Sequence, residues 1–400
     1  MIDQLTDSQR KWHDLAAEHG DDFAQRAAQH DAENTYPFEN MDALKASGYS
    51  SMVIPADMGG GGASLLDICI AQNRLAQGDG ATALAINMHF GLPYVMCDLI
   101  KGGDDRPRSL LEQIASEKLM VFGAITDPQV DSMKGITGLG YTTVKATKTD
   151  GGFLVNGRKA FGTNSPGADL FASTAIYDDP DEGEVGLIFV LPPDTEGLTC
   201  LNDWDTMSMR ASQSHSWTLE NVFVSEDGVF RHKPWEWDQF ARGLWAWHGG
   251  TFSSIYLGIA KAARDFAIDQ TKGRTRIPFK QPESYYPGHQ FLAAEMDIAL
   301  NAAWTLQLKI AERLDGDSRD DATLVEAIGM QYFCMKAAQD VVNKAVDMVG
   351  GAALARGRPL ERYYRDVRAG TMHPIGGFDA LELIGKHAFS LPFDVQPRYV

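Results

Sequence analysis

Residues 141–157 read YTTVKATKTDGGFLVNG. Apolar or β-branched residues alternate with polar ones up to Thr149. Asp150-Gly151-Gly152 then offers a tight turn, and a second apolar run follows to Asn156-Gly157. That pattern is a hairpin: a two-residue side-chain period on either side of turn residues that tolerate unusual backbone angles. Working outward, the same short, β-rich character marks 119–126 (LMVFGAIT), 170–176 (LFASTAI), 185–191 (VGLIFVL) and 217–224 (WTLENVFV). The centre of the chain therefore reads as an antiparallel sheet or barrel.

On both sides the period changes to that of a helix. Leu84, Met88 and Leu92 recur at helical spacing, with Pro93 and Pro107 as stops. Beyond the strands, Leu292, Met296, Ala299, Ala303, Leu306, Ile310 and Leu314 line one face. Ile328, Tyr332, Met335, Val342, Ala345 and Val349 line another, stopped by Gly350-Gly351. The expected fold is a multidomain α+β chain. An N-terminal helical domain (1–118) precedes a central antiparallel β-barrel or sheet domain (119–230), and a C-terminal four-helix bundle (231–400) follows.

Composition narrows the function. The 400 residues hold 36 Lys and Arg against 54 Asp and Glu, a net charge of −18. That balance repels phosphate backbones, so nucleic acid is not an expected partner. Mean hydropathy is −0.24, and no membrane span, signal peptide or Arg-rich transit peptide is read. Cys69, Cys97, Cys200 and Cys334 are far apart, with no CxxC pair. Neither a metal site nor a disulfide framework is expected, and a reduced, cytoplasmic setting fits. The Gly59–Gly62 run lacks the third glycine and the βαβ context of a dinucleotide fingerprint.

Five segments in order resemble the acyl-CoA dehydrogenase superfamily of flavoproteins. They are Ala124-Ile125-Thr126-Asp127-Pro128 with Ser132; Gly157-Arg158-Lys159-Ala160-Phe161-Gly162-Thr163-Asn164; Asp205–Arg210 leading into Trp217–Val224; Gly258-Ile259-Ala260 through Arg274; and Gly350-Gly351 with Arg358–Asp366. The resemblance implies a bound flavin, FAD or FMN. It assigns Thr126, Ser132, Phe161, Gly162, Thr163 and Asn164 to the isoalloxazine and Arg274 to a pyrophosphate. It assigns Gly350-Gly351 to a neighbouring subunit's cofactor, and hence implies a homotetramer. The chemistry of the residues agrees. A flat, apolar ring with hydrogen-bonding edges suits an aromatic face, short hydroxyls and close backbone approach, and a phosphate suits a guanidinium. The same residues also serve as sheet core (Phe161), turn chemistry (Thr163-Asn164) and a helix-end cation (Arg274).

The chain departs from the superfamily where proton abstraction would occur. Counting from Arg365-Asp366, the usual Glu position falls on Pro374. Counting back from Gly258, the alternative Glu position falls on His248. Neither is a carboxylate, although a gap would bring Asp379 into play. What stands there, Arg368-Ala369-Gly370-Thr371-Met372-His373, resembles the superfamily's flavin monooxygenases, dibenzothiophene monooxygenase among them. That branch places a His at the flavin edge and a second, here matched by His89, in the same cavity. His373, His89 and His248 are therefore the candidate catalytic residues, since a neutral imidazole moves a proton without installing a fixed charge. Each also has a plain reading as a turn or core histidine. The expected function is a flavin-dependent oxidoreductase acting on a small molecule or acyl substrate, an oxygen-activating monooxygenase before a dehydrogenase with a displaced base. A flavin reductase or electron-transfer partner would accompany it. The third reading is a catalytically silent binding member.

Overall fold

The computed structural model describes residues 5–130, 141–234, 239–316 and 320–392. Six helices come first: α1 (Asp7–Phe23), α2 (Ala27–Glu33), α3 (Phe38–Ser47), α4 (Leu65–Ala76), α5 (Gly80–Lys101) and α6 (Arg108–Glu117). Their starts are written locally. Ser64 caps α4 by accepting from the Asp67 N–H, while the Asp67 carboxylate accepts from the Ser64 N–H.

Eight strands follow: β1 (Val121–Ala124), β2 (Lys145–Thr149), β3 (Gly152–Gly162), β4 (Leu170–Asp179), β5 (Gly183–Leu191), β6 (Leu198–Cys200), β7 (His215–Ser225) and β8 (Val229–His232). They form a single sheet in the order β6-β7-β3-β2-β4-β5-β8, with β1 on β4. The expected antiparallel pattern holds for most pairs, including the β2–β3 hairpin. It fails at β1–β4 and β2–β4, which are parallel. Both pairs join strands that are not consecutive in the chain, and periodicity along one strand carries no record of that.

The C-terminal part has three long helices, α7 (Gln239–Thr271), α8 (Pro287–Asp315) and α9 (Asp321–Val349), and two short ones, α10 (Pro359–Gly370) and α11 (Gly377–Ala388). Among the described residues these five helices form the expected helical C-terminal domain. Helix α9 stops where the glycines predict: Gly350 takes φ +77° and its N–H bonds the Val346 carbonyl. Helix α7 is the axis of the molecule and packs on α9, α4, α5, α8 and α10. One apolar core therefore runs through the N-terminal and C-terminal helices together. The sheet has its own, built on Phe122, Phe153, Phe171, Phe189 and Trp217.

Two expectations about α5 change. Pro93 does not end it; the helix continues to Lys101. A proline inside a helix costs about 3 kcal/mol, and burial of this apolar helix on α7 outweighs that. Helix α5 is also long and apolar enough to cross a membrane, a run the sequence reading passed over, but 67% of its most apolar window is buried inside the protein.

Candidate functional site

The second flavin-like segment lies at the end of β3. There β3 pairs with β7 as Lys159↔Trp217 and resumes as Gly162↔His215, so β3 carries one extra residue. This bulge throws Phe161 outward. Phe161 has φ +57° and is 55% exposed, between buried Ala160 and Gly162. A bulky apolar residue gains nothing for folding from either condition, and both cost stability. Thr126 is also exposed and sits against the same strand, its carbonyl accepting the Ala160 N–H at 2.9 Å. Beneath this face, two buried donors, Nδ2 of Asn164 and Nε1 of Trp217, lack partners among the described residues. A projecting aromatic, an adjacent hydroxyl and spare donors suit an isoalloxazine.

Other assigned roles change. The missing side chain of Gly162 makes room for His215 and Trp217 across the sheet, not for a ligand: a Cβ there would lie 2.9 Å from the His215 carbonyl and 3.1 Å from the Trp217 indole. The Thr163 hydroxyl is buried and paired with Ser214 at 2.7 Å. Asn164 takes φ +76° and its Oδ1 accepts from the Tyr36 hydroxyl. Ser132 lies outside the described residues.

Lys159 is wholly buried behind this face. Its ammonium group reaches the Ile125 carbonyl at 3.1 Å and Thr174 Oγ1 at 3.0 Å. Burial pushes its pKa down to about 7, partly offset by Asp127. It ties the Thr126 segment to the sheet.

The histidines divide. His89 is fully buried, with Nε2 on the Ser50 carbonyl (2.8 Å) and Nδ1 accepting the Val121 N–H (3.0 Å). Both ring nitrogens hold backbone, so His89 joins α5 to β1 and has nothing left for a substrate. This corrects its candidate role.

His248 and His373 do come together. His248, Phe252 and Tyr256 are four apart on α7 and so share one face. His373 reaches them from the turn between α10 and α11. The His248 and Phe252 rings stack at 4.0 Å, Phe252 and His373 meet edge-on at 4.8 Å, and Tyr256 Oη lies 2.5 Å from His373 Nε2. Gln331 of α9 closes the group: Oε1 faces His248 Nδ1 at 3.3 Å and Nε2 donates to the Pro374 carbonyl at 3.2 Å. Gly370 allows the tight fit, since a Cβ there would lie 2.9 Å from the Tyr256 ring. An apolar cleft of about 170 Å³ opens beside this cluster, lined by Gln331, Met335, Ile375 and Phe378 among others. Tyr256 and Gln331 escaped the sequence reading, although Tyr256, two four-residue steps from His248 through Phe252, lies on the same helix face.

No carboxylate bonds either ring among the described residues. Burial pushes His248 down to about 3, with His373 adding to the effect, and His373 down to about 4. Burial likewise takes His89 to about 4. All three titrate lower in the folded chain than the ordinary 6.5, so the unfolded chain binds protons that the folded one refuses. The histidine contribution to stability should therefore be nil above pH 7 and turn unfavourable as pH drops through 6.5. At pH 5 each histidine accounts for about 2 kcal/mol at most. Urea unfolding at pH 7.5 and pH 5 measures this, and the His373→Gln variant should show a shallower fall. An equal change between the two pH values in wild type and His373→Gln would refute it.

The β face and the histidine cluster meet through Met209. Its N–H donates to Asp366 of α10 at 2.7 Å, and its carbonyl accepts from the Trp204 indole at 3.3 Å. Trp204 in turn meets Phe161 edge-on at 6.1 Å. Asp366, charge-coupled to Tyr256, is pushed up to about 7 by burial.

The phosphate-type residues are also gathered. Arg274 lies at the end of α9, its guanidinium 3.4 Å from the Val349 carbonyl just before Gly350-Gly351. It is held by Glu283, whose side chain is 1% exposed, at 2.6 Å; Arg276 bonds the same carboxylate. Gly350 and Gly351 sit at the surface with open space where side chains would be.

Three family descriptions match in chain order: acyl-CoA dehydrogenase N-terminal domain at 6–118, middle domain at 123–222 and C-terminal domain at 250–376. The chain belongs to the acyl-CoA dehydrogenase family. It is a flavin-dependent oxidoreductase of that superfamily. The acyl-CoA dehydrogenase-type protein YdbM of Bacillus subtilis (strain 168) is 34% identical over 374 residues, covering 92% of this chain and 94% of YdbM. The L-evernosamine nitrososynthase of a Micromonospora species is 32% identical, covering 92% of this chain and 87% of its own. Among solved structures, KijD3 in complex with FMN and a dTDP-linked 3-amino-4-keto sugar has a TM-score of 0.84 at 26% identity, over 98% of this chain and 96% of that one.

Proposed function

We propose that this member of the acyl-CoA dehydrogenase family is a flavin-dependent monooxygenase that oxygenates a primary amine on a small molecule. The observation that carries the reading is the pair of neutral imidazoles, His248 and His373, beside a cleft where desaturation of a thioester would call for a carboxylate. The relatives named as nitrososynthases, and the amino sugar held by KijD3, favour an amine.

Thr126, Phe161, Asn164 and Trp217 would hold the isoalloxazine. Reduced flavin supplies the two electrons that activate dioxygen. One oxygen atom enters the amine and the other leaves as water. The residues of the chain do the rest. The apolar cleft and the Phe252 ring keep water from the substrate. The two imidazoles, uncharged at neutral pH, take a proton from the amine and return one to oxygen. A reductase in the same cell would supply the reduced cofactor, and the open Gly350-Gly351 turn and the exposed Phe291 and Ile298 of α8 favour a homotetramer.

FMN fits better than FAD. Arg274 is engaged within the protein by buried Glu283, which it shares with Arg276, so a pyrophosphate would have to compete for it, whereas FMN asks nothing of that arginine. In calorimetric titrations FMN should bind no more weakly than FAD.

The defining experiment gives the protein flavin, a flavin reductase, NADH, oxygen and a panel of primary amines that includes a nucleotide-linked amino sugar. Oxygen uptake coupled to hydroxylamine formation is expected. If an acyl-CoA bleaches the flavin in the absence of oxygen while no amine is oxygenated, the chain is a dehydrogenase with a displaced base.

Phe161 tests the cofactor face. Phe161→Gly accepts φ +57° freely, so it should stabilise the protein by about 1 kcal/mol. It should also weaken flavin binding about tenfold through the lost aromatic face. Loss of stability, or unchanged affinity, would show that Phe161 serves the sheet alone.

A further inference from the structure

We infer that Gln331 and Tyr256 fix opposite proton polarity on the two histidines, so that the cluster beside the cleft presents one imidazole acceptor, Nε2 of His248, and one imidazole donor, Nδ1–H of His373. The inference rests on the proposed oxygenase site and assigns its positioning residues. It follows from hydrogen-bond accounting. The Pro374 carbonyl only accepts, so the Gln331 group that faces it at 3.2 Å is the NH₂. That orients Oε1 toward His248 Nδ1. An amide oxygen only accepts, so His248 carries its proton on Nδ1 and a lone pair on Nε2. Tyr256 has the complementary effect. Its hydroxyl is buried, and among the described residues its one partner is His373 Nε2 at 2.5 Å. A buried hydroxyl must donate somewhere, so it donates there. His373 Nε2 is then an acceptor and its proton sits on Nδ1.

The ordinary preference of a histidine side chain is Nε2–H, so both rings are held in the less common tautomer by named neighbours. Neither His248 Nε2 nor His373 Nδ1 bonds the protein among the described residues, and both residues are half-buried rather than sealed. The Phe252 ring lies against both, stacked on His248 and edge-on to His373. It spaces an acceptor from a donor in an apolar setting. Such a pair recognises a neutral group that gives one hydrogen bond and receives another, as an amine does, and rejects a carboxylate, which would face the His248 lone pair.

Gln331 and Tyr256 are positioning residues: they act through the rings. The test reads the rings directly. Two-bond ¹H–¹⁵N correlation spectra of histidine-labelled, flavin-loaded enzyme distinguish Nδ1–H from Nε2–H. The resonances are assigned by their loss in His248→Gln and His373→Gln. The Nδ1–H pattern is expected for both rings at pH 7.5. In Gln331→Met the His248 pattern should be lost while His373 keeps its own; in Tyr256→Phe the reverse should hold. This selective response is one that general loosening would not give. Gln331→Glu keeps an acceptor against Nδ1 and should restore the His248 pattern. An Nε2–H pattern on either wild-type ring, or a response of both rings to either substitution, overturns the inference. The outcome is independent of turnover: correct tautomers in an enzyme that oxygenates no amine would refute the proposed function and leave this assignment standing.

Discussion

His373→Gln should lower the rate of amine oxygenation by 10²- to 10⁴-fold while flavin affinity stays within about twofold of the wild type. The range is what a positioned proton donor or acceptor contributes, and it corresponds to about 3–5 kcal/mol of barrier. The structure supports confining the loss to chemistry. The His373 side chain bonds only Tyr256 among the described residues, it comes from a turn and not from a helix interior, and no bond there ties it to the Phe161 face. Gln keeps the polarity and most of the volume but cannot both accept from Tyr256 and donate across the cleft with a ring's geometry. Single-turnover formation of hydroxylamine after mixing reduced enzyme with oxygen and amine is the measurement. Product release is excluded from that readout, so a wild-type rate in the variant would remove His373 from the chemistry altogether. His89→Gln is the contrast: its nitrogens hold Ser50 and Val121, so it should lose stability rather than intrinsic rate.

The contrast between His89 and His373 also marks where sequence reading stops. The α-β-α order was open to it because side-chain periods of 2 and 3.6 are properties of local sequence. The β2–β3 hairpin and the α9 stop at Gly350 could both be anticipated from local sequence. The strands β6 and β8, three and four residues long, hold too few alternations to register. Parallel pairing of β1 and β2 with β4, and the survival of α5 beyond Pro93, depend on what packs against them. So does the role of a histidine. Nothing local separates His89 from His248, since both lie on apolar helices. What separates them is whether distant groups occupy their nitrogens, and Ser50, Val121 and Gln331 are 39, 32 and 83 positions away. Gly162 shows the same limit. A glycine announces that something approaches closely, without saying whether that is a ligand or, as here, Trp217 of its own sheet.

The second large effect concerns the junction that holds the cofactor face against the helical core. Arg365→Met should destabilise the protein by about 3–5 kcal/mol, the usual result of removing one partner from a substantially buried ion pair. The Arg365 guanidinium bonds both oxygens of Asp31 on α2, at 3.0 and 2.5 Å. It also bonds Glu361 at 2.8 Å and the Met207 carbonyl at 2.8 Å. One side chain thus joins α10, an N-terminal helix and the loop leading into β7. Without it, Asp31 keeps its charge in a pocket that is 12% exposed, and two segments lose their common tether. Arg365→Lys keeps the charge but not the fork, so it should fall between the variant and the wild type. Arg365→Met with Asp31→Leu should recover part of the loss, because the stranded carboxylate is gone. The effect reaches the site as well. Asp366 already sits near 7 because burial raises it against the pull of the Met209 N–H and the neighbouring arginines. Removing the Arg365 cation lifts it further, so at pH 7.5 Asp366 takes up a proton and its charge-assisted bond to the Met209 N–H weakens. Met209 also carries the Trp204 contact behind Phe161, so flavin binding should strengthen with rising pH as Asp366 ionises, and the midpoint of that rise should lie higher in Arg365→Met than in Arg365→Lys. Urea titrations and flavin affinities between pH 6.5 and 9 check both halves. A loss below about 1 kcal/mol, the range of an exposed ion pair, would show that Arg365 merely decorates the surface of the junction.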